Sequence, residues 1–509
     1  MLCALSMVLP VAWTPAIAQN ALPALGDTES ANFTVGTERK IGDEIMREIR
    51  VDPDYIDDPL LLEYLQSVWQ PLVVTSRKLG NITPDIDRRF AWEPFLVRDA
   101  SVNAFALPGG YIGVHLGMIA LTASPDELAS VLAHEISHIS QRHIARSIAG
   151  NTRRSLVGLA ALVIGLIAAS RSNNPDAMNA VVVGSQAATV QGQLNFSRDV
   201  EREADRVGFQ VMSAAGFAPG GMAAMFEKLD VSTRLNDFGG FPYLRSHPVT
   251  VERIGEARSR SGIAPGPLKV SALEHTVAQS RARVLMDPRV DALHRWQGQD
   301  ASLQTSFADK LLAASESAQA SSLLRDWSRA DASFAKALAL VRGSPASQDR
   351  AERALVLMQV QSLLARGEPG RAAEAMKRYV GDGSRPVLLL ASQIALASAS
   401  EPAGGAALRQ SAADLQTHVA VHGDDALAWV TLGQTWARLD RPLRSLRAEA
   451  ESRYALGDLL GAADRLRAAQ RVAQGGGPVD FIDASVVDSR LRDIEAQRRQ
   501  IEKDRSGSR

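Results

Sequence analysis

The chain has 509 residues and a single cysteine, Cys3. A lone cysteine excludes a disulfide framework, and its place inside an N-terminal segment expected to be removed as a signal peptide excludes thiol catalysis in the mature chain. Acidic and basic side chains nearly cancel, 57 against 56, and aromatic residues make up only 5%. No basic stripe interleaved with aromatics is present, so nucleic acid is not an expected partner. Long hydrophobic runs are scarce too. The apolar run from Leu156 to Ala169 falls short of the ~20 residues that a membrane-spanning helix needs. It is expected to bury against a protein core or to dip into a membrane surface as a peripheral contact.

What is present begins with an apolar N-terminus, Met1 to Ala18, ending Ala16-Ile17-Ala18 before Gln19. This small-x-small pattern predicts a signal peptide over 1–18, although no lysine or arginine precedes the apolar stretch. An exported chain without a thiol suits the periplasm. Hydrophobic residues at 46% support real cores, and the length predicts two or three domains.

The strongest chemical signal is His134-Glu135-x-x-His138. Ser124 as N-cap, Pro125 at the first helical position and Glu127 as a capping-box partner predict a helix start just before it. Two histidines four residues apart share one helix face and can reach one metal, with Glu135 beside them. Alone, such a motif also fits an amphipathic helix with two surface histidines. A second helix, capped by Ser197 and running from Arg198 toward Ala214, carries Glu201-Arg202-Glu203-Ala204-Asp205. Glu201 is expected to complete an open, three-ligand zinc site, with one Zn2+ per subunit. Asp205, on the same face, is expected to hold the far nitrogen of a ligating histidine. Glu203 reads as a solvated charge, and His143 as a structural or surface residue on the same helix as His138. His247 sits at a constrained turn before Pro248. It could stabilise an oxyanion, occupy a fourth zinc position as a latency device, or simply enter a helix.

The order Asn103-Ala104-Phe105-Ala106-Leu107-Pro108-Gly109-Gly110, His134-Glu135-x-x-His138, Glu201-x-x-Ala204-Asp205 and Ser246-His247-Pro248 resembles the zinc metalloproteases related to the CAAX prenyl protease and the HtpX heat-shock protease. These are gluzincins, and the likeness runs from about Gly42 to about Arg258. It is nearest to a soluble, periplasmic branch with tetratricopeptide repeats after the protease domain. That resemblance implies polypeptide substrates, namely outer-membrane proteins, and the outer-membrane beta-barrel assembly machinery as partner. It also places Asn103 to Phe105 on a substrate-binding edge strand. Prenyl-protein processing is disfavoured, because the chain lacks the several membrane spans such an enzyme uses.

The remaining pattern fills in the architecture. Short apolar runs at Phe90 to Val97, Val102 to Leu107 and Tyr111 to Val114 predict a small antiparallel sheet beside the active helix. The stretch Ser172 to Gln193 could be a flap over the cleft or a core hairpin. A turn-rich break at Ser261 to Pro267 ends the first domain. Beyond it, Trp429-x-x-Leu432-Gly433-x-x-Trp436, Tyr454 to Asp458 and Leu363 to Glu368 fit the helices and turns of tetratricopeptide-like repeats. The charged tail from Gln497 is expected to fray. The fold class is therefore α+β: a mostly helical, zincin-type protease domain over 19–270, then an all-α repeat domain over 271–505. The expected chemistry is metal-assisted peptide hydrolysis with Glu135 as general base. The alternative is a chaperone or assembly adaptor in which cleavage is rare or latent.

Overall fold

The computed structural model describes residues 34–148, 198–235, 243–262, 272–299, 303–344, 349–399, 404–474 and 481–506. The segment 1–18 expected to be a signal peptide, the apolar run at 156–169, the stretch 172–193 and the expected Ser197 cap lie outside the described residues. Among the described residues no helix is long and apolar enough to cross a membrane.

In chain order the first elements are α1 (Val35–Arg50), β1 (Tyr55–Ile56), α2 (Pro59–Lys78), α3 (Pro84–Arg89), β2 (Glu93–Val97), β3 (Ala104–Leu107), β4 (Tyr111–His115), α4 (Leu116–Leu121), α5 (Pro125–Ser140) and α6 (His143–Ile148). Then come α7 (Arg198–Ala214), α8 (Gly220–Leu235), α9 (Tyr243–Ser246), α10 (Val251–Arg260), α11 (Ala272–Met286) and α12 (Val290–Gln297). The C-terminal region continues as α13 (Phe307–Leu323), α14 (Trp327–Arg342), α15 (Asp349–Ala365), α16 (Pro369–Met376), α17 (Arg385–Ala397), α18 (Gly404–Val421), α19 (Ala426–Arg438), α20 (Pro442–Ala455), α21 (Leu459–Gln474) and α22 (Phe481–Ser506).

The sheet is mixed, in the order β1-β2-β4-β3, and this corrects the expectation of an antiparallel one. Strands β3 and β4 form the expected antiparallel hairpin, with Ala106 opposite Ile112. Strand β2 instead pairs with β4 in parallel, Leu96 opposite Val114. The connection from β2 carries the chain past β4's position, so β3 becomes the outer strand and β4 fills the centre. Gly109 and Gly110 make the intervening turn with φ of 78° and 90°, the left-handed region that glycine enters without a steric penalty.

Period-2 alternation gives the sheet two apolar faces. Leu96, Ile112 and Val114 join the main core with Leu65 and Trp69 of α2 and Leu132 and Ile136 of α5. Phe95, Val97 and Tyr111 pack on the other side against Ile45, Met46 and Ile49 of α1. Every residue of β4 is consequently buried.

Beyond α10, successive helices pack on one another through small residues. Gly433 of α19 lies so close to α20 that a Cβ there would sit 3.4 Å from the Ser445 carbonyl. Helix α11 belongs to both parts of the chain: Ala278 and Ala282 enter the main core beside the sheet, whereas Leu273 and Val277 join the core formed by α13 to α17. The charged tail expected to fray continues α22 as helix to Ser506.

Candidate metal centre

Helix α5 starts as its sequence predicts. The Ser124 side chain accepts a hydrogen bond from Glu127 N at 3.2 Å. Glu127 reaches back one residue further than a regular capping box, accepting from Ala123 N at 2.7 Å. The helix is then buried from Leu128 to Ser140, so its histidines face protein rather than solvent. Helix α7 crosses it closely because Gly208 has no side chain. A Cβ there would lie 3.0 Å from the backbone of Ala133 and His134. That approach brings Glu201 and Asp205, about two turns and one turn before Gly208, against the two histidines.

His134, His138, Glu201 and His247 converge, with one ligand atom from each within 4.8 Å of the others, and all four are buried. His134 Nε2 lies 2.9 Å from His138 Nε2 and 3.5 Å from Glu201 Oε2. His138 Nε2 lies 3.5 Å from Glu201 Oε1. His247 arrives from the short turn after α9, where its backbone N–H donates to Tyr243 O at 2.9 Å. Its Nδ1 stands 3.0 Å from Glu201 Oε1 and 3.3 Å from His134 Nε2. The Tyr243 ring flanks it at 4.8 Å between centroids.

Asp205 accepts from His134 Nδ1 at 3.0 Å, which leaves Nε2 of that ring as the inward-facing nitrogen. Arg253, at the start of α10, donates to both oxygens of Asp205 at 2.7 and 2.8 Å. Its Nη1 lies 3.0 Å from Glu201 Oε2 and donates to Pro248 O at 2.8 Å. Glu135 accepts from the edge-strand N–H of Ala106 at Oε2, 3.0 Å away. Its Oε1, buried without a hydrogen bond, lies 3.6 Å from His247 Nε2.

The electrostatics separate the two glutamates. Burial raises the Glu135 carboxyl above its usual range, with His247 and His134 opposing. Burial also opposes ionisation of Glu201, but the positive field of His247 and His134 outweighs it and holds that carboxyl well below its usual range. His134 is pushed up to about 10, the nearby Glu201 and Asp205 overcoming the effect of burial. His138 is driven down by burial and by the charge of its neighbouring histidines.

These donors fit a divalent metal. Imidazole nitrogens converge at contact distance around an ionised carboxylate, an arrangement of lone pairs that a cation stabilises. Glu201 Oε2 is likewise buried without a hydrogen bond. Two histidines and a glutamate are a borderline nitrogen and oxygen set of the kind zinc takes in catalytic sites.

Three residues that matter here escape sequence reasoning. Arg253 is one; nothing local marks an arginine five positions after Pro248. His143 and Glu203 are the others. His143 is buried rather than on the surface, and lies 2.9 Å from His138 through Nδ1. Glu203 is half-buried and bonded to His143 and Arg146, at 3.2 and 2.8 Å, rather than solvated.

An H-E-x-x-H helix meeting a glutamate of a second helix, inside a mostly helical domain with a small sheet, defines a metalloprotease domain. Residues 64–261 match the model of peptidase family M48. The chain is 36% identical over 303 residues to the putative beta-barrel assembly-enhancing protease of Vibrio cholerae serotype O1, covering 58% of this chain and 60% of that one. It is 34% identical over 252 residues to the beta-barrel assembly-enhancing protease of Escherichia coli strain K12, covering 48% and 49%. Mitochondrial metalloendopeptidase OMA1 of Saccharomyces cerevisiae is 27% identical over 195 residues, covering 37% of this chain and 53% of that one. The match thus spans about half to three fifths of these relatives' lengths.

Proposed function

We propose that the chain is a zinc-dependent endopeptidase of the periplasm that serves outer-membrane protein assembly and degrades outer-membrane proteins that stall or misfold. The observation that carries the enzymatic part is the convergence of His134, His138 and Glu201 beside Glu135. The names of the relatives support the substrate class, and the Ala16-Ile17-Ala18 pattern supports export.

Zinc held by His134, His138 and Glu201 would polarise the scissile carbonyl and acidify the attacking water. Glu135 takes the proton of that water and returns it to the leaving amine. Its Oε2 is anchored by Ala106 N–H, so Oε1 is the oxygen that receives the proton. Burial strengthens its hold on that proton, which suits a group that must later deliver it. Asp205 fixes the tautomer of His134. Strand β3 is at the sheet edge, and an extended substrate pairs there by backbone hydrogen bonds, next to the Glu135 anchor.

His247 stands among the ligand atoms, within hydrogen-bond distance of Glu201 at 3.0 Å. That placement favours a latency role: His247 fills the position a substrate carbonyl needs and withdraws when substrate arrives. It also gives weight to the second reading, an assembly adaptor whose proteolysis stays latent. The C-terminal helices act in both readings as a tetratricopeptide-type array that presents a concave surface to polypeptide partners, the beta-barrel assembly machinery among them.

The test is cleavage of an unfolded outer-membrane barrel protein by wild type, Glu135→Gln and His247→Ala. The proposal expects cleavage by wild type or by His247→Ala, and none by Glu135→Gln. Cleavage that persists in Glu135→Gln would remove the assigned base. No cleavage by any of the three would favour the adaptor.

A further inference from the structure

The two histidines of the motif are held from behind in different ways. His134 Nδ1 meets a carboxylate directly, Asp205 at 3.0 Å. His138 Nδ1 meets another imidazole, His143 Nδ1 at 2.9 Å. Since His138 presents Nε2 to the cluster, its proton belongs on Nδ1, and His143 Nδ1 must accept it. His143 then carries its own proton on Nε2, which donates to Glu203 Oε2 at 3.2 Å. Every hydrogen bond in this chain therefore has one possible direction, from His138 through His143 to Glu203. Arg146 fixes the far end by donating to the same Glu203 oxygen at 2.8 Å.

The backbone is bent to make this contact. A continuous helix would place His143 about 140° around the axis from His138. Instead α5 stops at Ser140, and Arg142 takes a left-handed conformation with φ of 52°. A non-glycine residue enters that region at a cost, and the Arg142 side chain is tied down by a 3.0 Å ion pair to the buried Glu38. The new helix α6 begins on His143 itself and turns its ring edge-on to His138, 4.8 Å between centroids.

We propose that His143 is a positioning residue for the metal: it sets the tautomer and ring plane of His138, and Glu203 orients His143. This rests on the metal-site reading above and extends it to residues outside the motif. The simpler possibility is that His143 only fills space beneath α5.

Zinc affinity of the full-length apoprotein, measured by chelator competition with folding checked by circular dichroism, separates the two. His143→Leu keeps the bulk but cannot accept a hydrogen bond, and should weaken zinc binding by about 10- to 100-fold. His143→Asn places an acceptor oxygen near the lost Nδ1 and should recover most of that loss. Glu203→Gln, at a half-buried position that tolerates change, should weaken binding severalfold, and it decides the question if His143→Leu does not fold. Equal affinity in wild type and the variants would overturn the proposal, as would equal losses in His143→Leu and His143→Asn. A folded wild type that binds no zinc would instead overturn the metal-site reading, and this proposal with it.

Discussion

Arg253 donates to both oxygens of Asp205 and lies 3.0 Å from Glu201, so a buried guanidinium faces two buried carboxylates. Replacing it with methionine roughly preserves volume but removes the guanidinium that both acids face. Loss of one partner from a buried ionic cluster typically costs about 3–5 kcal/mol. Arg253→Met should therefore lower the unfolding free energy of the apoprotein by that amount in a urea titration. A change below about 1 kcal/mol would show that the cluster is better solvated than its burial implies. At this scale the sequence was most legible where spacing within one helix does the work. His134 and His138, like Glu201 and Asp205, are four apart, and a helix puts each pair on one face whatever the rest of the fold does. Arg253 joins the site through a fold-level approach of α10 to α7, and His143 through a left-handed residue at Arg142. Neither leaves a periodic trace in the sequence.

Between elements, the crossing of α5 and α7 decides whether the two halves of the site meet. Gly208 permits it, since a Cβ there would lie 3.0 Å from the backbone of Ala133 and His134, which cannot rotate away. Valine at this position should cost about 1–3 kcal/mol in overpacking strain, more than the few tenths by which helix propensity improves over glycine. Gly208→Val should also reduce metal affinity, because it moves Glu201 outward. A variant with wild-type stability and affinity would mean that α7 can shift along α5 without consequence. The capped start of α5 was readable from Ser124 and Pro125, and α7 runs to Ala214, toward which its sequence pattern pointed. The direction of β2 relative to β4 was not. Alternating apolar residues mark a strand and its faces, but they are silent on which neighbour it pairs with. Here the chain passes beyond β4's place before turning back.

Across the whole molecule, the helical region is joined to the protease domain by α11 and by ion pairs onto α2 and the loop before it. Arg281 pairs with Asp58 (2.6 Å), Arg353 with Glu63 (2.6 Å) and Arg385 with Asp57 (2.7 Å). The turn-rich break read at Ser261 to Pro267 lies largely outside the described residues, and α11, which follows it, contributes side chains to both cores. Glu316 of α13 is buried at this junction, 3.3 Å from Arg283 of α11. Burial raises its pKa from 4.5 to about 7, against the opposing pull of Arg283. Because the folded value is the higher one, its contribution to stability is fully present below about pH 4.5 and lost as the pH rises through 7. The full loss is on the order of 3 kcal/mol. Glu316→Gln should therefore stabilise the protein relative to wild type at pH 8 more than at pH 5, as read by urea unfolding at both. A difference independent of pH would show that Glu316 is ionised throughout.

His134, His138 and Glu201 are the residues proposed to build a catalytic metal site, with Glu135 outside the ligand set. Elemental analysis of the purified, folded protein tests this assignment most directly. Close to one zinc per chain is expected in wild type and in Glu135→Gln, and little in Glu201→Ala. A folded wild type without bound metal, or a Glu201→Ala variant that keeps its full complement, would contradict it.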